Sequence, residues 1–168
     1  MSNHELSTDA GRVVIGIGGL AVRQASAGCI VTHALGSCLG IAIHDPVAKV
    51  GGMVHAQLPL AGQHPERARE MPSLFVDTGV RLLLERMLAA GARKTRWRLT
   101  VAGGANLATA SDYFEIANRN LTVLRKLCWQ QGLVIAGEDT GGAHPRTMLL
   151  DLASGATIVE AQGRRYEL

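Results

Sequence analysis

The sequence predicts a single α/β domain, a layered sandwich of mixed, largely antiparallel β-sheet with two principal helices. Three observations lead there. Apolar, β-branched runs of strand length recur along the chain, most of them at hairpin distance from the next. Only two stretches carry apolar residues at sustained helical spacing. A chain of 168 residues, 47% hydrophobic, is long enough to bury one core without disulfide or metal support. With two each of Trp, Tyr and Phe, that core must be built from Val, Ile, Leu, Ala and Met.

Residues 1–11 are polar and mixed in charge, and are expected as a flexible N-terminal tail ahead of one domain over 12–168. Strands are expected at 12–18, 28–32, 39–44 and 49–57, the last two joined by a turn at Asp45-Pro46. Residues 62–72 are polar and proline-bounded and read as a loop. Ser73 then caps a helix carrying Leu74, Val76, Val80, Leu83, Leu84, Met87 and Leu88, which closes at Gly91. A strand at 96–102 runs into Gly103-Gly104. The second helix, about 116–131, carries Leu121, Leu124 and Cys128 on one stripe and stops at Gly132. Three late strands are expected at 133–136, 146–152 and 156–160.

Composition excludes several classes. The formal charge is +3, with 17 basic against 14 acidic residues, too small and too scattered for a nucleic-acid face. The densest basic cluster, Arg93, Lys94, Arg96 and Arg98, reads as a solvated turn. The apolar stretch 13–22 is broken by glycine and shorter than the roughly 20 residues of a membrane span. Residues 1–12 lack the pattern of a secretory signal, so the expectation is a cytoplasmic protein with no membrane insertion. Three cysteines without Cys-x-x-Cys spacing support neither disulfides nor a zinc site. Cys29 and Cys128 lie in apolar runs and read as packing. Gly103-Gly104 and Gly141-Gly142 lack the lysine and helix of a phosphate loop. No metal or organic cofactor is expected.

Cys38 and His55 carry the chemistry. If the Asp45-Pro46 loop is centred between Pro46 and Val47, facing residues sum to 93 and Cys38 stands opposite His55. Leu39, Ile41, Ile43, Val50 and Val54 then share the other face. A thiol beside an imidazole suits covalent amide chemistry, because the histidine lowers the thiol pKa and accepts its proton. Cys38 sits in Gly36-Ser37-Cys38-Leu39-Gly40, whose small residues allow a sharp turn with amides near Cys38 aimed at a developing oxyanion. Gly36, Ser37 and Leu39 are its candidate supports, and Thr32 is placed to orient the imidazole. Spacing alone leaves the plainer reading open, a packed cysteine and a hydrogen-bonded core histidine. A third reading takes 36–40 as an α/β-hydrolase nucleophile elbow, which needs several strands ahead of it.

The stretches Ile30-Val31-Thr32-His33-Ala34-Leu35-Gly36-Ser37-Cys38, Asp45 to His55 with Gly51-Gly52-Met53-Val54-His55, and Leu58-Pro59 resemble the CheD family of bacterial chemotaxis. Further matches follow at Asp77-Thr78, Ala102-Gly103-Gly104-Ala105, Asn118-Arg119-Asn120 and Glu138-Asp139-Thr140-Gly141-Gly142 with Arg146. The resemblance implies hydrolytic deamidation of glutamines on methyl-accepting chemoreceptors, with the family's catalytic Cys, His and Thr on Cys38, His55 and Thr32. It also implies a CheC-type phosphatase of the response regulator as partner, and a fold similar to the catalytic domain of cytotoxic necrotizing factor toxins. A binding module that regulates the phosphatase, with or without catalysis, is the alternative it leaves.

Overall fold

A computed structural model of the protein describes residues 5–9, 11–107 and 111–168. In chain order the strands and helices are β1 (Glu5–Asp9), β2 (Arg12–Ile15), β3 (Leu20–Gln24), β4 (Cys29–Leu35), β5 (Leu39–Asp45) and β6 (Val50–Ala56). They continue with α1 (Pro65–Glu70), α2 (Val76–Ala89), β7 (Arg98–Gly103), α3 (Ser111–Gln131) and β8 (Ile135–Thr140). The chain closes with β9 (Arg146–Asp151), β10 (Thr157–Ala161) and β11 (Arg164–Glu167). One sheet has six strands in the order β1-β2-β4-β9-β10-β11; the other has five, β3-β6-β5-β7-β8. Among the described strands, only β2–β4 and β7–β8 are parallel pairs. The mixed, mostly antiparallel sandwich expected from the strand spacing is the fold found. It is not the doubly wound parallel sheet of an α/β-hydrolase.

Two apolar interiors make three layers. Ile15, Ile30, Leu35, Ala42, Met53, Ala102, Met148, Leu150 and Val159 fill the space between the sheets. Leu39, Ile41, Ile43, Val50 and Val54 face the other way, onto Val76, Val80, Leu83 and Met87 of α2 and Leu124, Leu127 and Cys128 of α3. Strands β5 and β6 are therefore buried on both faces along their whole length. That is why their sequences read as continuous apolar and small residues where an outer strand alternates, as β9 does. Polar contacts stitch the sheets where apolar packing ends: the Thr100 and Thr157 hydroxyls bond at 2.7 Å, and Arg146 chelates Asp139 through two bonds of 2.9 Å. Tyr166 donates to the same carboxylate.

Several elements differ from expectation. Residues 5–9 of the expected tail pair with β2, and residues 1–4 and 10 lie outside the described residues. Ser73 does not cap α2. It lies in a 3-10 turn, Pro72–Leu74, and its hydroxyl donates to Gly18 O at 2.6 Å, while Phe75 holds the N-cap position. Leu88 is exposed at the end of α2. The presumed loop 62–72 contains the single short helix α1. Strands β3 and β11 escaped a pattern search, β3 because Arg23 and Gln24 break its apolar run and β11 because it is polar throughout.

The basic cluster is not merely solvated. The Asp45 carboxylate is wholly buried and takes two bonds from Arg96 Nε (3.0 and 3.1 Å), one from Arg96 Nη2 (2.8 Å) and one from Arg93 N (2.8 Å). It also accepts from Val47 N (2.9 Å) and Ala48 N (3.1 Å), which folds Pro46 to Lys49 into a four-residue loop with Lys49 at φ +55. Desolvation alone would raise this carboxyl's pKa. The Arg96 guanidinium and the three backbone donors overcome it and hold the group far below its ordinary value. Asp45→Ala removes the buried acceptor shared by the half-buried Arg96 guanidinium and three backbone N–H groups. It is expected to lower unfolding stability by about 3–5 kcal/mol, read from urea denaturation at neutral pH.

Candidate active site

The hairpin register differs from expectation by two residues. His55 stands opposite Gly40 and Leu39 opposite Ala56, which puts Cys38 level with Gln57. The Asp45 side chain is the reason, since capturing Val47 N and Ala48 N moves the loop centre between those residues. A slip of one residue would have turned His55 to the helix side, whereas a slip of two leaves it on the face that Cys38 shares. The sulfur and the imidazole are therefore diagonal neighbours facing the first sheet. Gly40 stands directly across from His55 in tight packing: a Cβ there would lie 2.8 Å from Met148 Sδ and 2.9 Å from Leu35, and both side chains would have to shift.

Thr32 reaches His55 from the opposite sheet. Its hydroxyl lies 2.8 Å from His55 Nδ1 and donates to Ile15 O at 2.9 Å. A hydroxyl has one proton, so it accepts from Nδ1–H, and the network assigns the tautomer whose Nε2 carries the lone pair. That Nε2 is buried and has no hydrogen-bond partner among the described residues. The histidine backbone is pinned as well, with His55 N donating to Gly19 O (3.0 Å) and Gly18 N donating to His55 O (2.8 Å).

Cys38 lies in the bend between β4 and β5, 7% exposed, against the inter-sheet core. All three carbonyls of the bend are engaged. Gly36 O accepts from Ala105 N (2.8 Å), Ser37 O from Asn120 Nδ2 (3.0 Å) and Cys38 O from Gly104 N (2.8 Å). Gly103 is required at this contact: at φ +113 its Cβ would come within 2.1 Å of Cys38 O. Leu39 is the inner anchor, fully buried on the helix side, and Ser37 is half-buried.

The electrostatics reverse one expectation. Burial pushes the Cys38 thiol up to about 11, with a smaller opposing pull from its own backbone N–H. Burial also drives the His55 imidazole down to about 4. The sulfur is not hydrogen-bonded to Nε2, so desolvation dominates and both groups rest neutral. Cys128 packs in the helix-side core, as its stripe indicated. Cys29 is half-buried at the start of β4, its thiol also raised by burial.

Asn120 was legible only as part of a motif. A polar residue on the apolar stripe of α3, one turn before Leu124, was the signal that could have singled it out. The other histidines stand apart from the site: His33 bonds to Thr147, His44 to Leu152 O, and His64 stacks on Phe75. Among the described residues no helix is long and apolar enough to cross a membrane.

A cysteine, a tautomer-locked histidine and an orienting threonine between two sheets make up a candidate nucleophilic site, and comparison with known proteins places the fold that carries it. Residues 57–161 match the family model described as CheD chemotactic sensory transduction. The match begins beyond Cys38 and His55 and so does not rest on them. A "probable chemoreceptor glutamine deamidase CheD" of Solibacter usitatus is 38% identical over 94% of this chain and 93% of its own. CheD 2 of Anaeromyxobacter dehalogenans, of the same description, is 40% identical over 89% and 94%. The Pyrococcus abyssi protein so described is 41% identical over 85% and 87%. The chain belongs to the CheD family.

Stability should report the buried imidazole. Between pH 6.5 and about 4 the unfolded chain binds a proton that the folded protein refuses. Stability is therefore complete above this window and falls as pH is lowered through it, by about 3 kcal/mol. Urea midpoints measured from pH 7.5 to 4 should drop in the wild type and drop less in His55→Gln.

Proposed function

We propose that the protein hydrolyses selected glutamine side chains of methyl-accepting chemoreceptors to glutamate, releasing ammonia, with Cys38 as nucleophile and His55 as proton carrier. The observation that carries this reading is the bare Nε2. Thr32 spends its one proton on Ile15 O and so fixes His55 with an acceptor facing the side of the hairpin that holds Cys38. The names of its relatives in the CheD family supply the substrate class.

In the reaction, Cys38 Sγ attacks the carboxamide carbon while Nε2 takes the thiol proton. The carbonyl oxygen becomes an oxyanion beside Cys38 N–H. His55 returns the proton to the departing nitrogen, ammonia leaves, and a thioester remains. Water then attacks the thioester carbon, giving a proton to Nε2, and collapse returns that proton to sulfur and releases glutamate. Because thiol and imidazole both rest neutral, proton transfer accompanies attack and no ion pair waits in advance. The receptor helices that carry such glutamines lie in the cytoplasm, which is where this activity places the protein. No step calls for a metal or an organic cofactor.

Burial leaves the thiol a weak nucleophile at rest, and a binding module that regulates a CheC-type phosphatase, alone or beside catalysis, is the alternative that the family resemblance leaves. Incubation with a receptor cytoplasmic fragment, followed by ammonia release and mass-spectrometric mapping of Gln-to-Glu conversion, separates the two. Conversion by wild type, reduced at least about a thousandfold in Cys38→Ala and in His55→Ala, is the expected result. No conversion by wild type, with phosphatase binding retained, would select the binding module.

A further inference from the structure

Asn120 lies fully buried in α3. Its Nδ2 donates to Ser37 O and to Gln57 O, each at 3.0 Å. Both amide hydrogens are spent on carbonyls, and the reversed amide would set oxygen against two oxygens, so the partners determine its orientation. Among the described residues, Oδ1 is buried without a partner.

The two carbonyls belong to the residue before the nucleophile and to the second residue after the base. In the β5–β6 register Cys38 and Gln57 are level, one step beyond the last paired residues, Leu39 and Ala56. Asn120 therefore joins the two strand ends just where their own ladder stops. It also completes the row of donors that takes up the Gly36, Ser37 and Cys38 carbonyls. Among the described residues the Ser37 and Cys38 N–H groups have no backbone acceptor, which leaves them available to a ligand oxygen.

We propose that Asn120 is the positioning residue of the oxyanion-binding turn: by clamping Ser37 O to Gln57 O it fixes Cys38 N–H and Sγ relative to the His55 imidazole. The inference rests on the glutamine-deamidase reading above. Asn120→Asp is nearly isosteric but replaces the donor with an acceptor that repels both carbonyls. On the receptor fragment its kcat should fall about 10²–10³-fold, with KM within threefold of wild type. Acidification returns one donor as the new carboxyl protonates, so its kcat relative to wild type should rise between pH 8 and 6. Leu124→Ala, one turn along the same helix, weakens packing but leaves the clamp intact, and should keep kcat near wild type despite a lower melting temperature.

The proposal is overturned if Asn120→Asp keeps kcat within threefold, if its loss appears in KM alone, or if Leu124→Ala at a similar melting temperature loses as much kcat. Should the aspartate variant not fold, Asn120→His, which retains a ring N–H donor, is measured against the same criteria with an intermediate kcat expected. Absence of turnover by wild type would remove the deamidase reading itself, and iodoacetamide capture of Cys38 then serves as readout. A rate changed at least tenfold by Asn120→Asp supports the clamp, and an unchanged rate overturns it.

Discussion

A single buried carboxylate sets the geometry on which the candidate site depends. Asp45 gathers two backbone N–H groups of its own turn and a guanidinium with a further N–H from the segment leading into β7. The first pair sizes the β5–β6 loop, and the second ties that loop to the neighbouring strand. Hairpin register follows from loop size, and register decides which residues of β6 meet the other sheet. His55 reaches Thr32 across the sandwich because a turn about ten residues away has the length it has. Such an ion pair is weak ground for a claim of stability as such, since desolvation takes back much of the attraction. Its larger contribution here is to exclude neighbouring registers.

Burial is the second constraint, and it works against easy ionisation. Burial raises the thiol and lowers the imidazole, so forming a thiolate–imidazolium pair in advance costs free energy before mutual attraction is counted. Attraction between close charges in a poorly screened interior recovers part of that. In the proposed reaction, a substrate carbonyl that takes up charge beside the Cys38 N–H would recover more. The resting protein is thereby spared a reactive thiolate, and reaction is coupled to occupation of the site.

Much of this was legible in the residues. The two-fold alternation of β9, the helical stripes of α2 and α3 and the pairing of β5 with β6 all follow from apolar spacing. The face shared by Cys38 and His55 was readable from loop parity alone. The exact partner of His55 was not, because it turned on which N–H groups Asp45 would capture, a competition between side-chain and backbone hydrogen bonds that strand patterns do not encode. Ser73 looked like a helix cap and instead donates to Gly18 O, more than fifty residues away, since a serine hydroxyl takes whichever carbonyl the tertiary fold presents. The polar strand β11 has no periodicity to read. The raised thiol pKa was likewise out of reach, because proximity to histidine is visible in one dimension and solvent exclusion is not.

The histidine and the threonine that orients it belong to different sheets, and their contact crosses the interior, away from the loops at the sandwich rim. That arrangement separates inheritance of chemistry from inheritance of recognition. Segments such as 60–64 can be rewritten without altering the Thr32–His55 contact, whereas a change that slides one sheet over the other breaks that contact while leaving every loop in place. Diversification within such a scaffold is thus expected to be conservative in its middle and permissive at its margins, for reasons of mechanics.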